Sequence, residues 1–144
     1  MVNIAYFDTS VLVKLYDKFE EGSKKAESLY RKYNACSSIL IYAEVISALS
    51  RKNREGKYKE KGFEIAISLF KQDIEKVFII EVNKTVIEET GRIIINHELR
   101  ALDAIHLASA NILRRELSTH FPMITADEKL SVASQKEGYK VFLL

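Results

Sequence analysis

What most limits the folds open to this chain is the alternation, along its whole length, of short β-rich runs with helical patterns. The β-rich runs fall at Ile4–Phe7, 35–37, 77–82, 123–126 and 140–144. Between them, at 10–17, 23–33, 39–54, 57–71, 85–97, 99–113 and 128–137, apolar residues recur at helical spacing. Such alternation is the sign of a parallel sheet covered by helices on both faces. Right-handed crossovers then place all strand ends of one sense on one rim. An α/β fold with about five short, mainly parallel strands is expected, and residues 1–144 suffice for a single domain with a substantial core.

Four acids interrupt this apolar plan in an unusual way. From Met1 to Val13 the only charged side chain is Asp8, directly after the first strand and followed by Thr9 and Ser10. Burying a carboxylate among apolar neighbours is costly unless a cation or hydrogen-bond donor meets it. Asp, Thr and Ser are also favoured helix N-caps, so the same residues could simply start a helix. From Tyr33 to Ser50 the only charge is Glu44, whose helical neighbours are Leu40, Ile41, Ser47 and Ala48. Between Ala101 and Leu113 the only negative charge is Asp103, in a segment apolar on nearly all faces. Asp103 could cap that helix and pair with His106 one turn on; no second His or Cys stands at ligand spacing from His106. Asp127 follows the fourth strand. Thr125 and Glu128 match a capping box, which would start the last helix without using Asp127.

Composition narrows the setting. Hydrophobic residues make up 47% of the chain and charged residues 29%, as in ordinary globular proteins. No apolar run approaches the roughly 20 residues a bilayer span needs, and no signal segment opens the chain, so a cytoplasmic location without membrane contact is expected. Cys36 is the only cysteine, which leaves no internal disulfide and no thiolate cluster. A net charge of +2 does not identify a partner. Basic residues do cluster around Gly56: Arg51, Lys52, Arg54, Lys57, Lys59 and Lys61, with Tyr58 available to stack on an unpaired base. A solvated helix end gives the same pattern, and Arg114 and Arg115 are open to both readings.

Asp8 and Asp127 follow strands, while Glu44 and Asp103 lie in the first turns of helices that begin near the same rim, so all four can converge. Four neighbouring carboxylates cannot all stay ionised unaided. A divalent cation resolves the conflict, and an all-oxygen set suits Mg²⁺ or Mn²⁺ better than Zn²⁺.

The four motifs, YFDTSVLVKLY, SSILIYAEVISAL, LRALDAIHLASA and ITADEKL, in this order and over essentially the full length, resemble those of PIN-domain nucleases. The similarity is greatest to the VapC-type ribonuclease toxins of toxin-antitoxin pairs. The resemblance implies a three-layer α/β/α sandwich and a metal-dependent endoribonuclease. In it Asp8, Glu44, Asp103 and Asp127 bind one or two Mg²⁺ or Mn²⁺ ions, supported by the Thr9 and Thr125 hydroxyls. Glu128 is an alternative fourth acid, with Asp127 favoured by the capping-box argument. It further implies an RNA substrate, a homodimer and a VapB-like antitoxin whose C-terminal tail covers the acidic site. Ile41, Tyr42, Val45 and Leu49 could form the dimer face or an ordinary core face. Two other functions compete. A phosphotransferase phosphorylated on Asp8 lacks its second acid, since Ser10 stands there, and has no phosphate-gripping Gly-rich loop. A noncatalytic PIN-like RNA-binding or assembly module would keep the fold and use the acids structurally.

Overall fold

The protein is described here from a computed structural model over residues 3–144; Met1 and Val2, which open the apolar stretch before Asp8, lie outside the described residues. Strand β1 (Ile4–Phe7) is the centre of the sheet, and its residues Ala5, Tyr6 and Phe7 are fully buried. Strands β2 (Asn34–Ser38) and β3 (Phe78–Ile80) add on one side, and β4 (Met123–Thr125) and β5 (Val141–Leu143) on the other. The order is β3-β2-β1-β4-β5 with every pair parallel. The chain therefore leaves β1 in one direction and returns to its other side at β4. That reversal opens a crevice beyond the carboxyl ends of β1 and β4, the place where open α/β sheets bind ligands.

Among the described residues seven α-helices cover the sheet: α1 (Thr9–Leu12), α2 (Ser23–Lys32), α3 (Ile41–Arg54), α4 (Gly62–Asp73), α5 (Lys84–His97), α6 (Ala101–Leu117) and α7 (Glu128–Lys136). Side chains of a strand alternate between faces, and β1 uses both. Ala5 and Phe7 pack with Val11, Ile41, Val45, Leu49 and Phe70 of α1, α3 and α4. Tyr6 packs on the opposite face with Ile93, Leu107 and Leu130 of α5, α6 and α7. The result is a three-layer α/β/α sandwich with two cores, as expected from the alternation of elements.

Several boundaries differ from the periodic reading for local reasons. The segment 10–17 is a short α-helix that tightens into a 3₁₀ turn, Val13–Tyr16. The fourth helix begins at Gly62 rather than near 57, because Glu60 takes a left-handed conformation (φ 50°) and Tyr58 ties its hydroxyl to the Tyr16 carbonyl at 2.7 Å. Helix α6 continues to Leu117, where Ser118 turns left-handed. Asn83 caps α5 as its position suggested, accepting from Val86 N–H at 3.0 Å. Ile41, Val45 and Leu49 are fully buried inside the protomer and so cannot form a dimer face; Tyr42 alone of that group is half exposed. Among the described residues no helix is long and apolar enough to cross a membrane.

Candidate active site

Asp8 occupies the N-cap position of α1, but its carboxylate does not cap. The backbone does the capping: the Asp8 carbonyl accepts from Val11 and Leu12, and its N–H donates to Ile124 of β4 at 2.9 Å. The side chain, only 4% exposed, is turned to other use. Its Oδ2 accepts from Ser10 Oγ at 2.6 Å and from Thr125 Oγ1 at 3.0 Å. Both hydroxyls are themselves anchored, since Ser10 Oγ accepts from Ala126 N–H and Thr125 Oγ1 from Asp127 N–H. Two hydroxyl bridges thus stitch the ends of β1 and β4 together and satisfy one oxygen of a buried carboxylate. The other oxygen, Oδ1, has no hydrogen bond among the described residues.

Glu44 reaches the same place from the first turn of α3. Its Oε1 lies 2.7 Å from His106 Nε2 and accepts from Thr9 Oγ1 at 2.9 Å. Partial burial pushes this carboxyl up, but the hydrogen bond and charge of His106, with help from Thr9, outweigh it and leave the pKa below the usual glutamate range. His106 is almost fully buried in α6 and lies 3.7 Å from Asp8 Oδ1. Burial disfavours its cationic form, yet Glu44, Asp8 and Asp103 together raise its pKa.

Asp103, in the first turn of α6, neither caps its helix nor bonds His106; Arg100 occupies the N-cap position. Its pKa is raised, first by burial and then by the charges of Asp127, Asp8 and Glu44. The charges of the other three acids are therefore felt at Asp103. Asp127 is the N-cap of α7 in fact: its Oδ1 accepts from Leu130 N–H at 2.8 Å. The capping box is therefore not formed. Thr125 is spent on Asp8 instead, and Glu128 is exposed beside a separate cavity with His97, Lys129 and Lys136.

Asp8, Glu44, Asp103 and Asp127 all line one cleft of about 890 Å³. The stripe Glu44, Ser47, Ala48 and Arg51 of α3 forms one wall, and Arg100, Leu102 and Asp103 form another. Among the described residues no three acidic, imidazole or thiol groups are already drawn together tightly enough to enclose an ion. The donor chemistry nevertheless fits a hard divalent cation. The oxygens are carboxylates and hydroxyls, one Asp8 oxygen is unengaged, and the mutual repulsion felt at Asp103 is what a cation would relieve.

The basic cluster divides in the structure. Arg51 lines the acidic cleft, as does Arg100, which the sequence reading missed for want of basic neighbours. Arg54, Lys57, Lys59 and Lys61 are exposed. Lys52 is not available to RNA: it is paired with Asp17 at 2.9 Å and Glu20 at 2.8 Å. Tyr58 is half-buried against Phe63, and with Lys57 it lines a different, apolar groove. Arg115 pairs with Glu89 at 2.7 Å and Arg114 lies over the Tyr139 ring at 4.1 Å, so both serve structure. His106, Tyr6 and Ser10 also belong to the site's surroundings. Ser10 was conspicuous as a hydroxyl two residues after Asp8, and the spacing of His106 from Asp103 drew attention to the histidine but suggested the wrong partner.

A family model described as PIN domain matches residues 5–136. The chain is 35% identical over 108 residues, 74% of each chain, to "Ribonuclease VapC45" of Mycobacterium tuberculosis (strain CDC 1551 / Oshkosh). Among solved structures it resembles Mycobacterium tuberculosis VapC20, described as a sarcin-ricin loop cleaving toxin. That match has a TM-score of 0.67 at 16% identity and covers 94% of this chain and 96% of the other. A toxin-antitoxin complex from Klebsiella pneumoniae gives a TM-score of 0.63 at 18% identity over 85% and 86% of the two chains.

Proposed function

This chain belongs to the PIN-domain family, and from that premise we propose that it is a metal-dependent endoribonuclease, the toxin of a toxin-antitoxin pair. The observation that carries the reading is the cleft: four carboxylates from four separate elements open onto one space, and hydroxyls orient the most buried of them. Relatives named as ribonucleases support the same conclusion. No contact in the cleft favours a noncatalytic module.

Asp8 and Asp103, with Glu44 and Asp127, would hold Mg²⁺ or Mn²⁺. Such an ion supplies activated water and charge stabilisation for in-line hydrolysis of a phosphodiester. The chain's own part is positional. Ser10 and Thr125 fix Asp8 by its Oδ2, and Thr9 and His106 fix Glu44 by its Oε1. Helix α7 fixes Asp127 by its cap. Arg51 and Arg100 stand on the cleft walls, where guanidinium groups suit the phosphates on either side of the scissile bond. Hydrolysis by water needs neither a covalent intermediate nor the ribose 2′-hydroxyl.

Cleavage of end-labelled RNA should therefore require Mg²⁺ or Mn²⁺, stop with a chelator and leave 5′-phosphate and 3′-hydroxyl ends. Asp8→Asn and Asp103→Asn should each lower the rate by at least about 100-fold while the folded spectrum is kept. Full activity in either variant, or 2′,3′-cyclic phosphate products, would refute the assignment. A VapB-like antitoxin, supported by the likeness to the toxin-antitoxin complex, and a second copy of this chain, for which the family resemblance is the ground, complete the proposal.

A further inference from the structure

Tyr6 and His106 form a buried polar pair with no catalytic assignment, and with a neutral imidazole their hydrogen bonds are satisfied in one direction. The Tyr6 hydroxyl sits 3.1 Å from the backbone nitrogen of Ser38 and 2.7 Å from His106 Nδ1. An amide N–H can only donate, so the phenol oxygen accepts there; its single proton has Nδ1 of the neutral ring as its one partner among the described residues. With Nδ1 accepting, the ring carries its proton on Nε2, 2.7 Å from Glu44 Oε1. Protonation of the ring would leave this Nε2 bond intact. The rings meet edge to face at 5.8 Å, Tyr6 is fully buried and His106 nearly so, which leaves neither room to turn. An unbroken chain therefore runs from the end of β2 through β1 and α6 to the one cleft acid carried by α3. Glu44 Oε1 is committed to His106 and Thr9, and Oε2 has no hydrogen bond among the described residues.

We propose that His106 is a positioning residue: buttressed by Tyr6 against the Ser38 backbone, it fixes one oxygen of Glu44 and so presents the other to the metal site. The inference rests on the nuclease reading for the role of Glu44, but not for the hydrogen-bond chain itself. Partners of this kind, outside the ligands proper, typically change metal affinity or activity by roughly 10- to 100-fold when removed.

Three measurements on the full-length protein test it. His106→Phe should weaken Mn²⁺ binding, measured by calorimetry without RNA, or lower kcat, by roughly 10- to 100-fold, with KM for RNA unchanged. Tyr6→Phe, which removes one oxygen and keeps the core filled, should move the same quantities in the same direction by a smaller factor. In a Glu44→Ala background, adding His106→Phe should cause no further loss of Mn²⁺ affinity, since its route is gone; an equal loss there would make the role merely structural and overturn the proposal. Imidazole nitrogen NMR should show a protonated Nε2, with Nδ1 accepting whenever the ring is neutral. A neutral ring protonated on Nδ1 would overturn it whatever the activity. Lost Mn²⁺ binding in these variants of a protein that cuts no RNA would instead defeat the nuclease reading and leave the positioning role in place.

Discussion

Arg51 and Arg100 differ from the other cations of the chain in what they meet. Lys52 is spent on Asp17 and Glu20, Lys14 on Glu20, and Arg115 on Glu89. Arg51 and Arg100 line the acidic cleft and have no carboxylate partner among the described residues. Arg51 lies two helical turns, about 10 Å, beyond Glu44 on the same face of α3. Arg100 sits three residues before Asp103 at the start of α6. Positive charge at these two places offsets the repulsion that an acidic cleft would exert on a phosphate backbone. Arg51→Glu and Arg100→Glu should each weaken RNA binding and flatten its dependence on salt by roughly one phosphate contact, with the melting temperature unchanged. An unaltered salt slope in both variants would remove them from the RNA path. The cluster around Gly56 was visible in the chain, but which of its members face the cleft was not, because Arg51 and Lys52 are adjacent in sequence and point to different partners.

At the scale of elements, α5, α6 and α7 are held together away from the cleft by one carboxylate. Glu137, at the end of α7, accepts from Arg92 at 2.7 and 3.0 Å and from Asn111 at 3.1 Å, and lies 2.9 Å from His97 Nε2. The Arg92 guanidinium above all, against some burial, brings its pKa down from 4.5 to about 2. A depressed carboxyl stabilises the fold fully above its unfolded pKa and loses that contribution as pH falls through the folded one. The window is therefore about pH 4.5 down to about 2. Glu137→Gln should cost on the order of 2–3 kcal/mol at pH 7, and its stability should vary less across that window than the native protein's. Superimposable pH profiles from urea unfolding would show that the network contributes nothing. Because α6 carries both Asp103 and Asn111, this cluster also braces the helix that supplies one wall of the cleft.

At the scale of the molecule, Ile41, Val45 and Leu49 of α3 are consumed by the protomer's own core, so of the four residues considered for a dimer face only Tyr42 is open to one. The chain alone should nonetheless behave in solution as twice 16.5 kDa, and its RNA cleavage should fall on addition of a cognate antitoxin. A monomeric mass in light scattering would remove the homodimer, and undiminished cleavage would remove the antitoxin. The α/β class, five parallel strands, and the identity of the four isolated acids were all legible in the chain. Periodicity and burial cost act locally along the sequence, and an acid alone in an apolar run is conspicuous without coordinates. Partners were not legible. That Asp127 caps α7 while Glu128 turns away, that Thr125 serves Asp8 and not a capping box, and that His106 meets Glu44 and not Asp103 depend on which strand ends meet at the β1–β4 reversal. A hydrogen bond between residues 62 or 117 positions apart leaves no mark in local spacing; only the packed sheet decides it.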